Sequence, residues 1–307
     1  MKRIVLTFSF FLSWILLTQS AVIPDMRFRR VDTREGLSNS EVFSILRDSH
    51  GYVWFGTGYG LNRYDGYRIR TFFSYDKDTT SLRNNRIDEI QEGYGGRLWL
   101  KQRMNYSMYD PVTEKVDRNP TRWLNQQGML GSMENIHLDS KKNYWVKSYE
   151  DGFYYFNPVS KNLKHFAFGY GPSEFSKDFG ISAYAESDEG MVLVSTFGEL
   201  MCIDGERGKV LWKDQYVKNA LNAYNDYWVT VDKEQNIWVI THSTGTYIYV
   251  KKEKRGYSSL TELMRAQGYE NVPEDVLAWE VRYDAKGLLW VATDHQGVFV
   301  LDEDTRQ

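Results

Sequence analysis

Asp48-Ser49-His50-Gly51-Tyr52-Val53-Trp54-Phe55-Gly56-Thr57 decides the fold, because the same pattern returns along the chain. Asp284-Ala285-Lys286-Gly287-Leu288-Leu289-Trp290-Val291-Ala292-Thr293 repeats it. Asp139 with Trp145 and Asp232 with Trp238 keep the Asp-to-Trp spacing, and Gly96 with Trp99 keeps the Gly-to-Trp spacing. A fourth copy is degenerate: Gly190 is present, Leu193 falls in the Trp column and Thr196 in the Thr column. The Trp column therefore runs 54, 99, 145, 193, 238, 290, in steps of 45, 46, 48, 45 and 52 residues. A second column, Asp65, Asp110, Asn157, Asp204, Val250 and Asp302, follows nearly the same period.

Each period holds four short runs with apolar residues on alternate positions. In the first copy they are 41–47, 52–57, 61–64 and 68–73, separated by Gly, Asp and Asn. Alternation with period two over runs this short indicates strands and excludes a helical solenoid. Four antiparallel strands in about 45 residues make a β-propeller blade. One blade cannot bury both of its faces, so blades stack around an axis, with the Trp as the packing wedge between them. The fold expected is all-β, with blades near 36–73, 82–118, 133–167, 179–213, 225–259 and 276–307. The last copy lacks a fourth strand, which 26–31 can supply from the other end of the chain. Both a closed six-bladed ring and a seven-bladed ring short of one blade fit this count.

Lys2 and Arg3 precede a 14-residue apolar run, Ile4 to Leu17, and small residues follow at 18–21. This is the pattern of a secretory signal peptide over 1–21, cut after Ser20 or Ala21, and the run is short for a membrane span. The mature part, 22–307, is expected in the periplasm. The single cysteine, Cys202, lies in a strand-like run, so neither a disulfide framework nor a cysteine zinc site is expected. A formal net charge of −3 argues against a nucleic-acid partner.

Gly36-Leu37-Ser38-Asn39-Ser40-Glu41-Val42, then Asp48, Gly51, Trp54, Gly56 and Thr57, then Gly60-Leu61-Asn62-Arg63-Tyr64-Asp65-Gly66, resembles the two-component regulator propeller repeat. The resemblance is close in the first and last copies and looser between, where Leu82-Arg83-Asn84-Asn85-Arg86-Ile87 echoes the opening motif. It implies the periplasmic sensor region of a hybrid two-component system of the Bacteroidetes type, responding to glycan fragments. It also implies partners in other domains of the same sensor, or a second copy in a homodimer. Complete members of the family carry a membrane helix, a histidine kinase and a DNA-binding domain. This chain would be a truncated sensor or a solitary exported propeller, reaching the membrane only through missing downstream segments.

No catalytic signature competes strongly. The five histidines, His50, His137, His165, His242 and His295, fall in no metal-ligand spacing, and there is no nucleophile elbow or phosphate loop. No cofactor or metal is expected. The repeat Asp residues read as Asx-type turn caps. Asp294-His295, in a second-to-third turn, reads as a solvated turn ahead of an acid–base pair, and an exported propeller enzyme acting on polysaccharides, a lyase or glycoside hydrolase, stands as the alternative function.

In an antiparallel blade the second-to-third turn and the link to the next blade share one face. The long segments 74–85, 119–132, 169–180 and 256–275 fall there. In the last of them Ser259-Leu260-Thr261-Glu262 is a capping box, and Gly268 ends the short helix that it starts. Loops that lengthen on one face suggest a functional face. Its turns hold Gly58-Tyr59, Arg103-Met104, Tyr149-Glu150-Asp151, Phe197, His242-Ser243-Thr244 and Asp294-His295-Gln296. From these the candidate ligand-binding residues are Tyr59, Arg103, Tyr149, Glu150, Asp151, His242, Asp294, His295 and Gln296. Aromatic faces stack on sugar rings, and the polar groups hydrogen-bond hydroxyls or acids.

Overall fold

The computed structural model describes residues 30–149, 152–167, 181–221, 227–241, 245–269, 272–274, 276–284 and 286–302. They form an all-β, six-bladed propeller. Blade one is β1 (Val42–Arg47), β2 (Val53–Thr57), β3 (Gly60–Tyr64) and β4 (Ile69–Phe72), hydrogen-bonded in chain order. Blade two is β5 (Glu89–Glu92), β6 (Leu98–Gln102), β7 (Asn105–Asp110) and β8 (Lys115–Asp117), and blade three is β9 (Met133–Leu138), β10 (Tyr144–Ser148), β11 (Gly152–Phe156) and β12 (Leu163–Phe166). Blade four is β13 (Ile181–Glu186), β14 (Met191–Ser195), β15 (Leu200–Asp204) and β16 (Lys209–Asp214), and blade five is β17 (Trp228–Val231), β18 (Ile237–Thr241), β19 (Gly245–Val250) and β20 (Arg255–Tyr257). Blade six shows three strands among the described residues, β21 (Ala278–Tyr283), β22 (Leu289–Thr293) and β23 (Val298–Leu301). Of the segment 26–31 expected to complete it, 26–29 lie outside the described residues, as do 1–21.

Among the described residues three short α-helices interrupt the pattern. α1 (Thr121–Gln126) and α2 (Tyr216–Leu221) carry no sequence signal of their own, and α3 (Leu260–Ala266) falls where the capping box placed it. Ser259 Oγ accepts from Glu262 N at 3.0 Å, but the Glu262 carboxylate turns to Ser258 N at 2.8 Å, so only half of the box forms as expected.

The Asp–Trp spacing has a physical cause. The carboxylate closes the tight turn between first and second strands and then receives the indole N–H. Asp48 Oδ1 accepts from His50 N and Tyr52 N, both at 2.9 Å, while Trp54 Nε1 donates to Asp48 Oδ2 at 2.7 Å. The same bond ties Trp145 to Asp139 (3.1 Å), Trp238 to Asp232 (2.9 Å) and Trp290 to Asp284 (3.1 Å). In the second column Asp65, Asp110, Asn157 and Asp204 accept backbone N–H groups two or three residues on, which are the Asx turns expected. Asp232 is buried beneath three backbone and amide donors as well as the indole. Asp232→Ala strands these donors, and urea unfolding is expected to show a loss of about 2 kcal/mol.

Five apolar clusters fill the joints between successive blades, and each puts the wedge of one blade against the next. Trp54 meets Leu98, Leu100 and Tyr109, and Trp99 meets Tyr144 and Val146. Trp145 meets Met191 and Leu193, and Trp238 meets Val281 and Val291. The fourth joint corrects the sequence alignment. Leu193 faces back towards Trp145, while Val192 packs forward with Ile237 and Val239. The cause is a shorter turn: Ser187 N bonds Gly190 O, whereas Asp48 N bonds Tyr52 O one residue further on. The register moves by one, so Ser187, Val192 and Ser195, not Leu193 and Thr196, hold the repeat positions.

Among the described residues no apolar cluster joins blade six to blade one. Ile45 is 66% exposed, although Ile90, Ile136 and Val281 at the same position are buried. Val298 is 57% exposed where Leu61, Phe153 and Leu200 are buried, and Trp290 is the one repeat Trp not fully buried. Elsewhere the axial strand edges are capped by side chains of the preceding blade. Ser44 Oγ accepts from Ile90 N at 3.0 Å, and the Gln91 amide bonds Ile136 O and Leu138 N, each at 2.7 Å.

Candidate functional site

The links between blades and the second-to-third turns do share one face, as hydrogen bonds between them show. Gly60 N donates to Asn85 O, Tyr149 N to Ser132 O and Asp294 N to Leu277 O. On this face Tyr59 is 54% exposed and its ring lies 5.7 Å from that of Phe73. Arg103 sits at φ 58°, the left-handed turn position, with its N–H on Asp88 Oδ2 at 2.5 Å, which leaves the guanidinium outside the sheet. Tyr149 is half exposed, and so is Phe197. His295 Nε2 lies 2.8 Å from Asp294 Oδ2, and Gln296 Nε2 donates to Glu274 O at 3.2 Å. Glu150, Asp151 and His242 lie outside the described residues.

Each of these turns is held by its own blade or the adjoining link. The structure therefore arrays the candidates around a rim and, among the described residues, pairs only Asp294 with His295. That pair is a solvent-exposed contact on a turn, with His295 87% exposed.

Three further rings on this face escaped the sequence reading. Phe43, Trp228 and Trp279 stand at the starts of the axial strands β1, β17 and β21, at the end where the second-to-third turns lie. Trp228 is 59% exposed and Trp279 48%. The Arg86 guanidinium lies 4.1 Å from the Phe43 ring centre and bonds Asp88 at 2.6 Å. Exposed tryptophans are costly surface in a module without a partner, and they lie outside both repeat columns, which is the signal that marks them as something other than wedges.

With this geometry, the architecture is that of a propeller built on Asp–Trp turns with an aromatic face around the axis. Residues 36–59, in the first blade, match the family model described as Two component regulator propeller. A 70-residue stretch is 31% identical to Histidine kinase P4 of Formosa agariphila, covering 23% of this chain and 5% of the kinase. The extracellular domain of BT3049 from B. thetaiotaomicron, described as a hybrid two component system, superposes with a TM-score of 0.60 at 21% identity, over 89% of this chain and 35% of that domain. Virginiamycin B lyase from Staphylococcus aureus, solved with quinupristin, gives a TM-score of 0.52 at 14% identity, over 86% of this chain and 80% of the lyase. At these identities the structural likenesses establish the propeller fold. The chain spans about a third of that extracellular domain and matches about a twentieth of the kinase. Among the described residues no helix is long and apolar enough to cross a membrane.

Proposed function

We propose that this chain is an exported, non-enzymatic sensor or binding module, the propeller region of a hybrid two-component sensor, and that it takes glycan fragments on the face just described. The observation that carries the reading is the regulator-propeller repeat in blade one, supported by the stretch of likeness to a histidine kinase. Export to the periplasm rests on the charged and apolar pattern of residues 2–21. The exposed rings of Tyr59, Tyr149, Trp228 and Trp279 supply stacking surfaces, and Arg103, Asp294 and Gln296 supply hydrogen bonds. Other domains of the same sensor, or a second copy, are the protein partners.

The test is a panel of oligosaccharides read both for thermal shift and for products. Binding without turnover is expected. Tyr149→Ala and Arg103→Ala should weaken the ligand about tenfold each, at nearly unchanged melting temperature, because turn side chains contribute contacts to the ligand and little packing. The Asp294–His295 pair favours the second reading, a polysaccharide lyase or hydrolase. Cleavage that stops in His295→Ala or Asp294→Asn while binding persists replaces the sensor by that enzyme.

A further inference from the structure

The joint between blades four and five differs from the other four packed joints in one respect. Its wedge is Val192, where they carry an indole. In blade one the Trp54 ring lies between Tyr109 (5.4 Å between centres) and Phe72 (6.1 Å). The strand pairings put Tyr249 where Tyr109 stands and Asp214 where Phe72 stands. Two rings are thus missing from one joint, and a cleft of about 300 Å³ opens there. Leu200, Ile237, Tyr247 and Tyr249 form its apolar walls and Trp212 flanks it. Ser187, the residue in place of the indole-binding Asp, also lines it. At the mouth Glu189 accepts from Trp212 Nε1 at 3.1 Å and is tied to Lys251 at 2.9 Å, so the ring and the carboxylate are held in place.

We infer that this cleft is a binding site for a small flat aromatic molecule of indole size that carries an N–H or O–H donor. Such a ring replaces the absent wedge. It stacks against Tyr249 and Trp212 as Trp54 packs on Tyr109, and its donor meets the Ser187 hydroxyl or the Glu189 carboxylate, as the indole N–H of other blades meets Asp. A volume near 300 Å³ holds one such ring, not an extended polymer. The site is formed by side chains other than those of the axial face, so it stands whether or not that face takes glycans.

Titration calorimetry with indole and with N-acetyltryptophanamide tests it, with cellobiose as the comparison ligand. Indole should bind and cellobiose should not. Trp212→Ala should weaken indole about tenfold, through loss of the flanking ring. Val192→Phe, which puts a ring at the wedge position packed behind Leu200, Ile237 and Tyr247 of the cleft wall, should abolish binding, and its fold can be verified by circular dichroism. Should Val192→Phe fail to fold, Trp212→Ala at the mouth decides alone. Preference for N-acetyltryptophanamide over indole would assign the site to a peptide side chain and overturn the free small molecule. No binding of either at millimolar concentration, binding unchanged in Trp212→Ala, or binding of cellobiose in place of indole would each overturn the proposal.

Discussion

Trp54→Ala is expected to cost about 4 kcal/mol in urea or thermal unfolding, the range for deleting a large core aromatic. Trp54 is fully buried and fills the joint between blades one and two, against Tyr109 and Phe72. Removing it opens a cavity that β-sheets on both sides cannot close, and it leaves Asp48 Oδ2 buried without the indole N–H. Trp290→Ala makes the control. It is the same residue at the same repeat position, with the same bond to Asp284, but it is partly exposed. Its loss should be about 3 kcal/mol, smaller in proportion to the area it removes from water. Equal losses at the two sites would show that the turn bond, not the joint, sets the stability.

Gly190→Ala is expected to be nearly as damaging, at about 3 kcal/mol. A Cβ at this position would stand 2.2 Å from the Ile203 carbonyl oxygen and 2.8 Å from its carbon, on the adjacent strand β15. Backbone cannot swing aside as a side-chain tip can, so β14 and β15 must separate. Gly51→Ala, with nothing near its added carbon, pays only for its left-handed φ of 89° and should lose about 1 kcal/mol. Denaturant midpoints of the two variants measured side by side check the difference.

The propeller was legible because its determinants are local. An Asp that closes a turn and a Trp that bonds back to it must keep a fixed spacing, and Asp48–Trp54, Asp139–Trp145, Asp232–Trp238 and Asp284–Trp290 all do. The register of blade four was misread by one because the shorter turn leaves no mark in a column of apolar residues: Val192 and Leu193 are interchangeable on paper and face opposite neighbours in space. The candidate face was legible in outline from the lengthened links. Trp228 and Trp279 add rings to it that only their places outside both repeat columns set apart from the wedges, and their exposure follows from their position on the axial strands. Nor does Ile45 differ in sequence terms from Ile90; its exposure depends on what lies beyond the blade, not on the blade.

A sealed ring has no first blade to lose. Among the described residues blades one and six each have one packed neighbour and the four between them have two, so this described part is energetically an open array with two ends. Local opening then begins at those ends and moves inward, and backbone amides of blades three and four exchange last.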